Sequence, residues 1–145
     1  MAEFDKIAHN YDDGFSNTVL GKMQRQIVWD YLAKNINIKK SLNILELNCG
    51  TGEDALWLAS KGHKVVATDI SENMIRVAKN KAKSSTFGKN ISFSILDISS
   101  PDTFPTETKF DIIFSNFGGL CCTIYDDRGS RRTINHSSNY IITSW

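Results

Sequence analysis

Apolar residues are distributed along this chain in two ways. In some places they form short, nearly unbroken runs, and in others they recur every three or four positions. Asn43 to Leu47, Lys64 to Asp69, Ile91 to Leu96 (ending at Asp97) and Phe110 to Ser115 are runs of the first kind and read as buried strands. Residues 18–36 carry Leu20, Met23, Ile27, Val28, Tyr31 and Leu32 at helical spacing, which predicts an amphipathic helix. A second helix is expected over Glu53 to Lys61, offering Ala55, Leu56, Leu58 and Ala59 to a sheet and stopped by Gly62. A third should run from Glu72 to Lys83, capped by Ser71 and apolar at Met74, Ile75, Val77, Ala78 and Ala82. Pro101 and Pro105 exclude a long regular helix from the next connection.

The alternation predicts an α/β fold: a Rossmann-like parallel sheet of about four strands, with right-handed crossovers and helices on both faces. Such sheets take their ligands beyond the carboxyl ends of the strands. There lie Asn48 to Gly52, Asp69, Asp97, and Asn116 with Phe117. The flanks differ in character. Residues 1–17 are polar with isolated aromatics (Phe4, Tyr11, Phe15), a lid-like or irregular segment. Residues 123–145 are dominated by Ser, Thr, Asn, Asp and Arg without a sustained period, and read as a poorly ordered tail, with Asn139 to Thr143 the alternative of one extra strand. Two regions follow: an incomplete cofactor-binding domain over residues 1–122 and a tail over 123–145.

Composition narrows the partners. The net charge of +1 on 145 residues leaves no electrostatic footprint for nucleic acid. The opening Met1-Ala2-Glu3-Phe4-Asp5-Lys6 is unlike a signal or transit peptide, and the apolar runs fall short of the ~20 residues that span a bilayer, so no membrane association is expected and the cytoplasm is the default location. Cys49, Cys121 and Cys122 have neither the number nor the spacing of a disulfide framework or zinc site. The scattered His9, His63 and His136 read as non-ligands, and no metal site is expected.

The turn after the first strand requires residues that accept left-handed backbone and a close ligand. Gly50 and Gly52 do so, and Asn48 is the next-best residue for that conformation. Asp69 follows Gly50 by 19 residues, close to the ~20 at which an acid meets a ribose in nucleotide-binding units. A pyrophosphate would sit at the following helix N-terminus, yet that turn carries Glu53 and Asp54, with Glu46 just before the loop. The third glycine of G-x-G-x-x-G is absent. These acids tolerate a cationic, phosphate-free ligand such as a sulfonium, and favour S-adenosylmethionine over NAD.

Glu46-Leu47-Asn48-Cys49-Gly50-Thr51-Gly52 resembles the E/D-x-G-x-G-x-G motif of class I S-adenosylmethionine-dependent methyltransferases, with Asn48 in place of the first glycine. Asp69-Ile70-Ser71-Glu72-Asn73-Met74 is similar to that family's D-x-S-x-x-M segment, and Phe4 to Asp12 to the opening of its small-molecule-methylating branch. The resemblance covers about residues 4–120. It implies that Glu46 and the Asn48-Cys49-Gly50-Thr51-Gly52 backbone hold the methionine part of the cofactor. Asp69 would accept from both ribose hydroxyls, with Ile70 following it and Met74 packing nearby. Asp97 would accept from the adenine amino group with Ile98 beside the ring. Asn116 and Phe117 would line the rim near the transferring methyl, and Tyr11 would close the site. Asp97 and Asn116 could equally be turn formers, and Tyr11 a core or surface aromatic.

Methyl transfer from a sulfonium has an activated leaving group, so positioning the acceptor can supply much of the rate. No residue has the setting of a general base, and the catalytic residues stay unassigned. The expected function is the cofactor-binding portion of a small-molecule methyltransferase. The family's sheet has seven strands in the order 3-2-1-4-5-7-6, so the resemblance implies the order 3-2-1-4 for the four strands here, and the chain is expected to be truncated and catalytically incomplete. Phe110 to Ser115 would then form an exposed apolar edge open to self-association. The rival readings are a non-catalytic binding or dimerisation fragment and, behind it, an NAD-dependent oxidoreductase.

Overall fold

The computed structural model describes residues 7–36, 39–100 and 109–116, together with the backbone of residues 140–142. After a π-helical turn at Asp12–Ser16 come α1 (Val19–Asn35), β1 (Asn43–Leu47), α2 (Glu53–Ser60), β2 (Lys64–Asp69) and α3 (Glu72–Lys83). β3 (Ile91–Ile95), β4 (Ile112–Ser115) and β5 (Tyr140–Ile142) follow. The strands form one sheet in the order β3-β2-β1-β4-β5, every pairing parallel. Ile44 lies between Val65 and Ile112, so β1 occupies the middle of the expected 3-2-1-4 arrangement.

The fifth strand corrects the expected exposed edge. β4 pairs with β1 on one side and with Tyr140–Ile142 on the other, within the stretch read as a tail. A three-residue strand is too short to show a period of two, although Tyr and Ile favour extended backbone. The rest of that stretch, residues 123–139 and 143–145, lies outside the described residues, as do Phe117, Cys121 and Cys122.

Local chemistry places the helix ends. Thr18 Oγ1 accepts from the Gly21 N–H (3.1 Å) to start α1, and Ser71 Oγ accepts from the Met74 N–H (3.2 Å) to start α3. Glu72 in the first turn and Lys81 and Lys83 in the last complement the α3 dipole.

The two faces of the sheet separate by strand parity. Ile44, Val65, Ala67, Ile91, Ile112 and Phe114 join Val28 and Leu32 of α1, Ala55, Leu58 and Ala59 of α2, and Ile75 of α3 in the main core. On the opposite face Leu45, Leu47 and Leu96 gather with the partly buried Val66, Ile98, Phe110 and Ile113. The described helices therefore all cover one face, where helices on both were expected. The proline-bearing connection, residues 101–108, lies outside the described residues.

α1 is also rotated from its expected setting. Its buried positions are Gly21, Arg25, Val28 and Leu32, spaced four, three and four. Leu20, Met23, Ile27 and Tyr31, expected on the inner face with Val28 and Leu32, are exposed. The turning force is polar: Arg25 and Trp29 both reach Asp54 on α2, and bringing them inward swings the apolar stripe outward.

Candidate cofactor site

The site is built from the carboxyl ends of β1, β2, β3 and β4. Leaving β1, the backbone is left-handed at Asn48 (φ 55°), Gly50 (54°) and Gly52 (86°), as the loop composition predicted. A Cβ at Gly50 would meet nothing within 4 Å, so that position is constrained by its dihedral alone. At Gly52 a Cβ would come within 3.0 Å of Ala78 Cβ, so glycine also lets the loop approach α3. The Cys49 N–H donates to the Thr68 carbonyl (2.8 Å), lashing the loop to β2, while burial and the neighbouring Glu46 and Asp69 push the Cys49 thiol well above its ordinary value.

Asp69, at the end of β2, grips the loop directly. Its Oδ2 accepts from the Gly50 N–H (2.9 Å) and its Oδ1 from the Ser71 N–H (2.9 Å). A carboxylate oxygen can accept more than one hydrogen bond. Sequence spacing brought these residues together correctly. The Asp69 carbonyl also accepts from the Leu96 N–H (3.0 Å), which sets Asp97 just beyond the end of β3, beside the end of β2.

Beneath the loop lies a group of buried charges. Glu46 is 1% exposed, and burial together with Asp54 and Asp69 raises its carboxyl well above the ordinary glutamate value despite Arg25. Asp54 is buried too. It accepts from Trp29 Nε1 (2.7 Å) and Asn116 Nδ2 (3.0 Å), and its Oδ1 lies 3.3 Å from Arg25 Nε. Burial raises its pKa against the lowering effect of the Arg25 charge and of the hydrogen bonds from Trp29 and Asn116. Glu46 Oε2, Asn48 Nδ2 and Asn116 Oδ1 are buried with no hydrogen-bond partner among the described residues. Such atoms are costly unless something satisfies them. One acceptor from an acid, one amide donor and one amide acceptor around a left-handed loop suit a ligand carrying ammonium, carboxylate and hydroxyl groups.

The remaining expected residues are placed less uniformly. Tyr11 is half-buried against Phe15 (ring centroids 5.8 Å apart), and burial raises its hydroxyl pKa, with Arg25, Asp12, Asp69 and Asp54 within electrostatic reach. Ile70 is 47% exposed, an apolar side chain open to a ligand beside Asp69. Met74 is buried in the interior. Asp97 Oδ1 accepts from the Ser99 Oγ (2.6 Å) and N–H (2.9 Å), which holds its pKa low and makes it a turn former whatever else it does. Ile98 packs on the second core cluster.

Reading the sequence missed Arg25 and Trp29 altogether, took Lys81 with Lys79 and Lys83 for the solvated face of a helix, and saw Asp54 only as a charge opposing pyrophosphate. Arg25 and Trp29 are four apart on one helix face, a spacing that an exposed polar stripe shares. Their inward setting depends on Asp54, which nothing local reveals. Two cavities open elsewhere. One of about 320 Å³ lies at the amino ends of β1 to β3 beside Lys64, Lys89 and Asn90, and one of about 350 Å³ lies between α3 and β3 beside Lys79 and Lys83. Neither gathers the acids and left-handed backbone found at the carboxyl ends. No helix among the described residues is long and apolar enough to cross a membrane.

A parallel sheet with a left-handed loop after β1, and an acid ending β2 that binds that loop, defines a Rossmann-like nucleotide-binding domain. Comparison with known proteins narrows the class. A family described as "Methyltransferase domain" matches residues 38–140, and the chain belongs to it, as a class I S-adenosylmethionine-dependent methyltransferase fold. The chain is 30% identical over 122 residues to a demethylmenaquinone methyltransferase of Leptospira interrogans, covering 79% of this chain and 47% of that protein. It is 29% identical over 92 residues to the tRNA 5-carboxymethoxyuridine methyltransferase of Escherichia coli, covering 62% of this chain and 35% of that protein. Among solved structures, a protein of Pyrococcus horikoshii OT3 superposes with a TM-score of 0.60 at 27% identity, over 83% of this chain and 52% of the other. The chain thus spans a third to a half of the length of these curated relatives.

Proposed function

We propose that this chain is the cofactor-binding portion of a cytoplasmic methyltransferase whose acceptor is a small molecule. The observation that carries the reading is the convergence of Glu46, the Asn48–Gly52 loop, Asp69 and Asn116 on one rim, with buried polar atoms of Glu46, Asn48 and Asn116 lacking a hydrogen-bond partner among the described residues. When bound, S-adenosylmethionine supplies a methyl group on a positively charged sulfur, already activated for displacement. The chain's own work is to hold and orient. Glu46 Oε2 and the loop backbone hold the methionine ammonium, and Arg25, kept inward by Asp54, offers its positive charge to the carboxylate. Asp69 takes the ribose hydroxyls on its carboxylate oxygens. Ile70 and Ile98 flank the adenine, whose amino group donates to Asp97. Asn116 and Phe117 line the approach of the acceptor, and Tyr11 keeps water from it.

The acids also weigh against NAD. A bound pyrophosphate would face Glu46, Asp54 and Asp69 with Arg25 as the opposing charge, whereas a sulfonium is stabilised by that surplus of negative charge. The dimerisation-fragment reading loses its main support with β4 paired on both sides.

The relatives act on both a quinone precursor and a tRNA, so the acceptor is the point to test. The chain is incubated with methyl-labelled S-adenosylmethionine and separate small-molecule and RNA fractions of a cell extract. Label entering the small-molecule fraction is the expected result. Label entering RNA would overturn the acceptor class, and none in either would favour a chain that binds cofactor without completing transfer.

A further inference from the structure

We propose that Lys81 is a positioning residue that fastens the N-terminal segment as a strap across the glycine loop, so that cofactor exchange requires this fastening to open. The inference rests on the cofactor reading above and adds a residue and a gating step to it.

Lys81 stands in the last turn of α3, three-quarters buried. Its Nζ donates to Asp12 Oδ2 (2.6 Å) on the π-helical turn, to Glu53 Oε1 (2.6 Å) at the start of α2, and to Thr51 Oγ1 (3.3 Å) inside the loop. Thr51 in turn donates its hydroxyl proton to Asp12 Oδ1 (2.5 Å). One ammonium therefore joins the N-terminal segment, the loop and two helices. Thr51 lies between Gly50 and Gly52, both left-handed, so the strap is pinned to the part of the loop that must keep its shape for a ligand. Burial acts to raise the Asp12 pKa, but hydrogen bonds from Lys81, Thr51 and Ser16 outweigh it and hold it low, as expected of a carboxylate bound in its charged form.

What the strap carries is Tyr11, adjacent to Asp12, whose hydroxyl feels Arg25, Asp69 and Asp54. Beside it His9 Nε2 meets Arg76 Nη2 of α3 at 3.1 Å, an exposed second attachment of the segment. The arrangement is poised. Without the lysine, Asp12 and Glu53 would share one locale with no cation between them, and like charges would drive the strap off the loop. Partial solvent exposure limits the strength of the fastening, which suits a joint that must open repeatedly.

The test measures the dissociation rate of S-adenosylhomocysteine from the full chain, together with amide hydrogen exchange of the unliganded protein. Lys81→Met should speed dissociation about tenfold and accelerate exchange at the Gly14, Asn17 and Thr18 amides, which are hydrogen-bonded within the strap. Lys81→Arg should restore most of both. Lys83→Met, removing the other basic residue of the same last turn, should change neither, which separates strap opening from a general weakening of α3. Dissociation of Lys81→Met at the wild-type rate would overturn the proposal even if the melting temperature fell. Equal effects of Lys83→Met would overturn it as well. A wild-type chain that binds no S-adenosylhomocysteine would overturn the cofactor reading and this gating step with it, whereas normal wild-type binding with an unchanged variant rate overturns the gating step alone.

Discussion

The two ends of the sheet solve opposite problems. At the amino ends the described polar groups find partners in the protein itself. The Leu42 N–H donates to the buried His63 Nδ1 (3.2 Å), the Lys64 N–H to the Leu42 carbonyl (2.9 Å), and the Asn43 N–H to Asp111 Oδ2 (2.8 Å). The Asp111 N–H returns a bond to the Asn43 carbonyl (2.8 Å). At the carboxyl ends the backbone is left-handed at three positions, acids are buried beside one another, and buried polar atoms of Glu46, Asn48 and Asn116 have no hydrogen-bond partner among the described residues. Unsatisfied groups and strained backbone persist only where the surrounding structure overdetermines them. The comparison teaches that the amino ends secure the fold and the carboxyl ends spend that security on holding a ligand.

Substitutions at the two ends should therefore separate binding from stability. The largest effect is expected from Asp69→Ala, which removes two charge-assisted acceptors for ribose and releases the Gly50 and Ser71 amides. Affinity for S-adenosylhomocysteine should fall by about a hundredfold or more in calorimetry. His63→Ala tests the other end. Burial lowers the pKa of this imidazole, and its loss leaves the Leu42 N–H without an acceptor and a cavity in the core, so denaturant unfolding should show a loss of about 2 kcal/mol. Ligand affinity should not change, and a parallel loss of binding would blur the distinction between the ends. Gly52→Ala should cost about 1–2 kcal/mol from left-handed strain and the 3.0 Å approach to Ala78, and, being at the ligand end, should weaken binding as well.

The smallest effect has the opposite sign. The raised Glu46 carboxyl means that the folded chain keeps a proton which the unfolded chain, near the ordinary value of 4.5, has already released. Stability contributed by this group therefore falls as pH rises from 4.5 through the folded value. Glu46→Gln should remove that slope, raise the unliganded melting temperature near neutral pH by about 3 °C, and weaken ligand binding. A variant that gains stability without losing binding would show that Glu46 is not a ligand group.

How much of this was legible in advance follows from how local each cause is. Buried parallel strands read as continuous apolar runs, so β1 to β4 could be read from residues alone, as could the left-handed loop and its acid 19 residues on, while the order of the strands came from the family resemblance. The rotation of α1 could not, because it depends on Arg25 and Trp29 choosing Asp54, with Trp29 25 positions from that acid. Lys81 likewise looked like a solvated helix lysine, and its partner Asp12 is 69 residues away. β5 was visible only as an alternative, since three residues carry no period. Asp97 kept both of its readings: its place beside Asp69 fits a ligand contact, and its bonds to Ser99 show the turn.

Hydrogen exchange across the whole chain, with and without saturating S-adenosylhomocysteine, tests the division between the two ends most directly. The account predicts strong added protection at the amides of Asn48 to Gly52 and of Asp69 to Ser71, with little at Leu42, Asn43, His63 and Lys64 beyond any global stabilisation. Equal protection at both ends, or none at the loop while the ligand is bound, would contradict it.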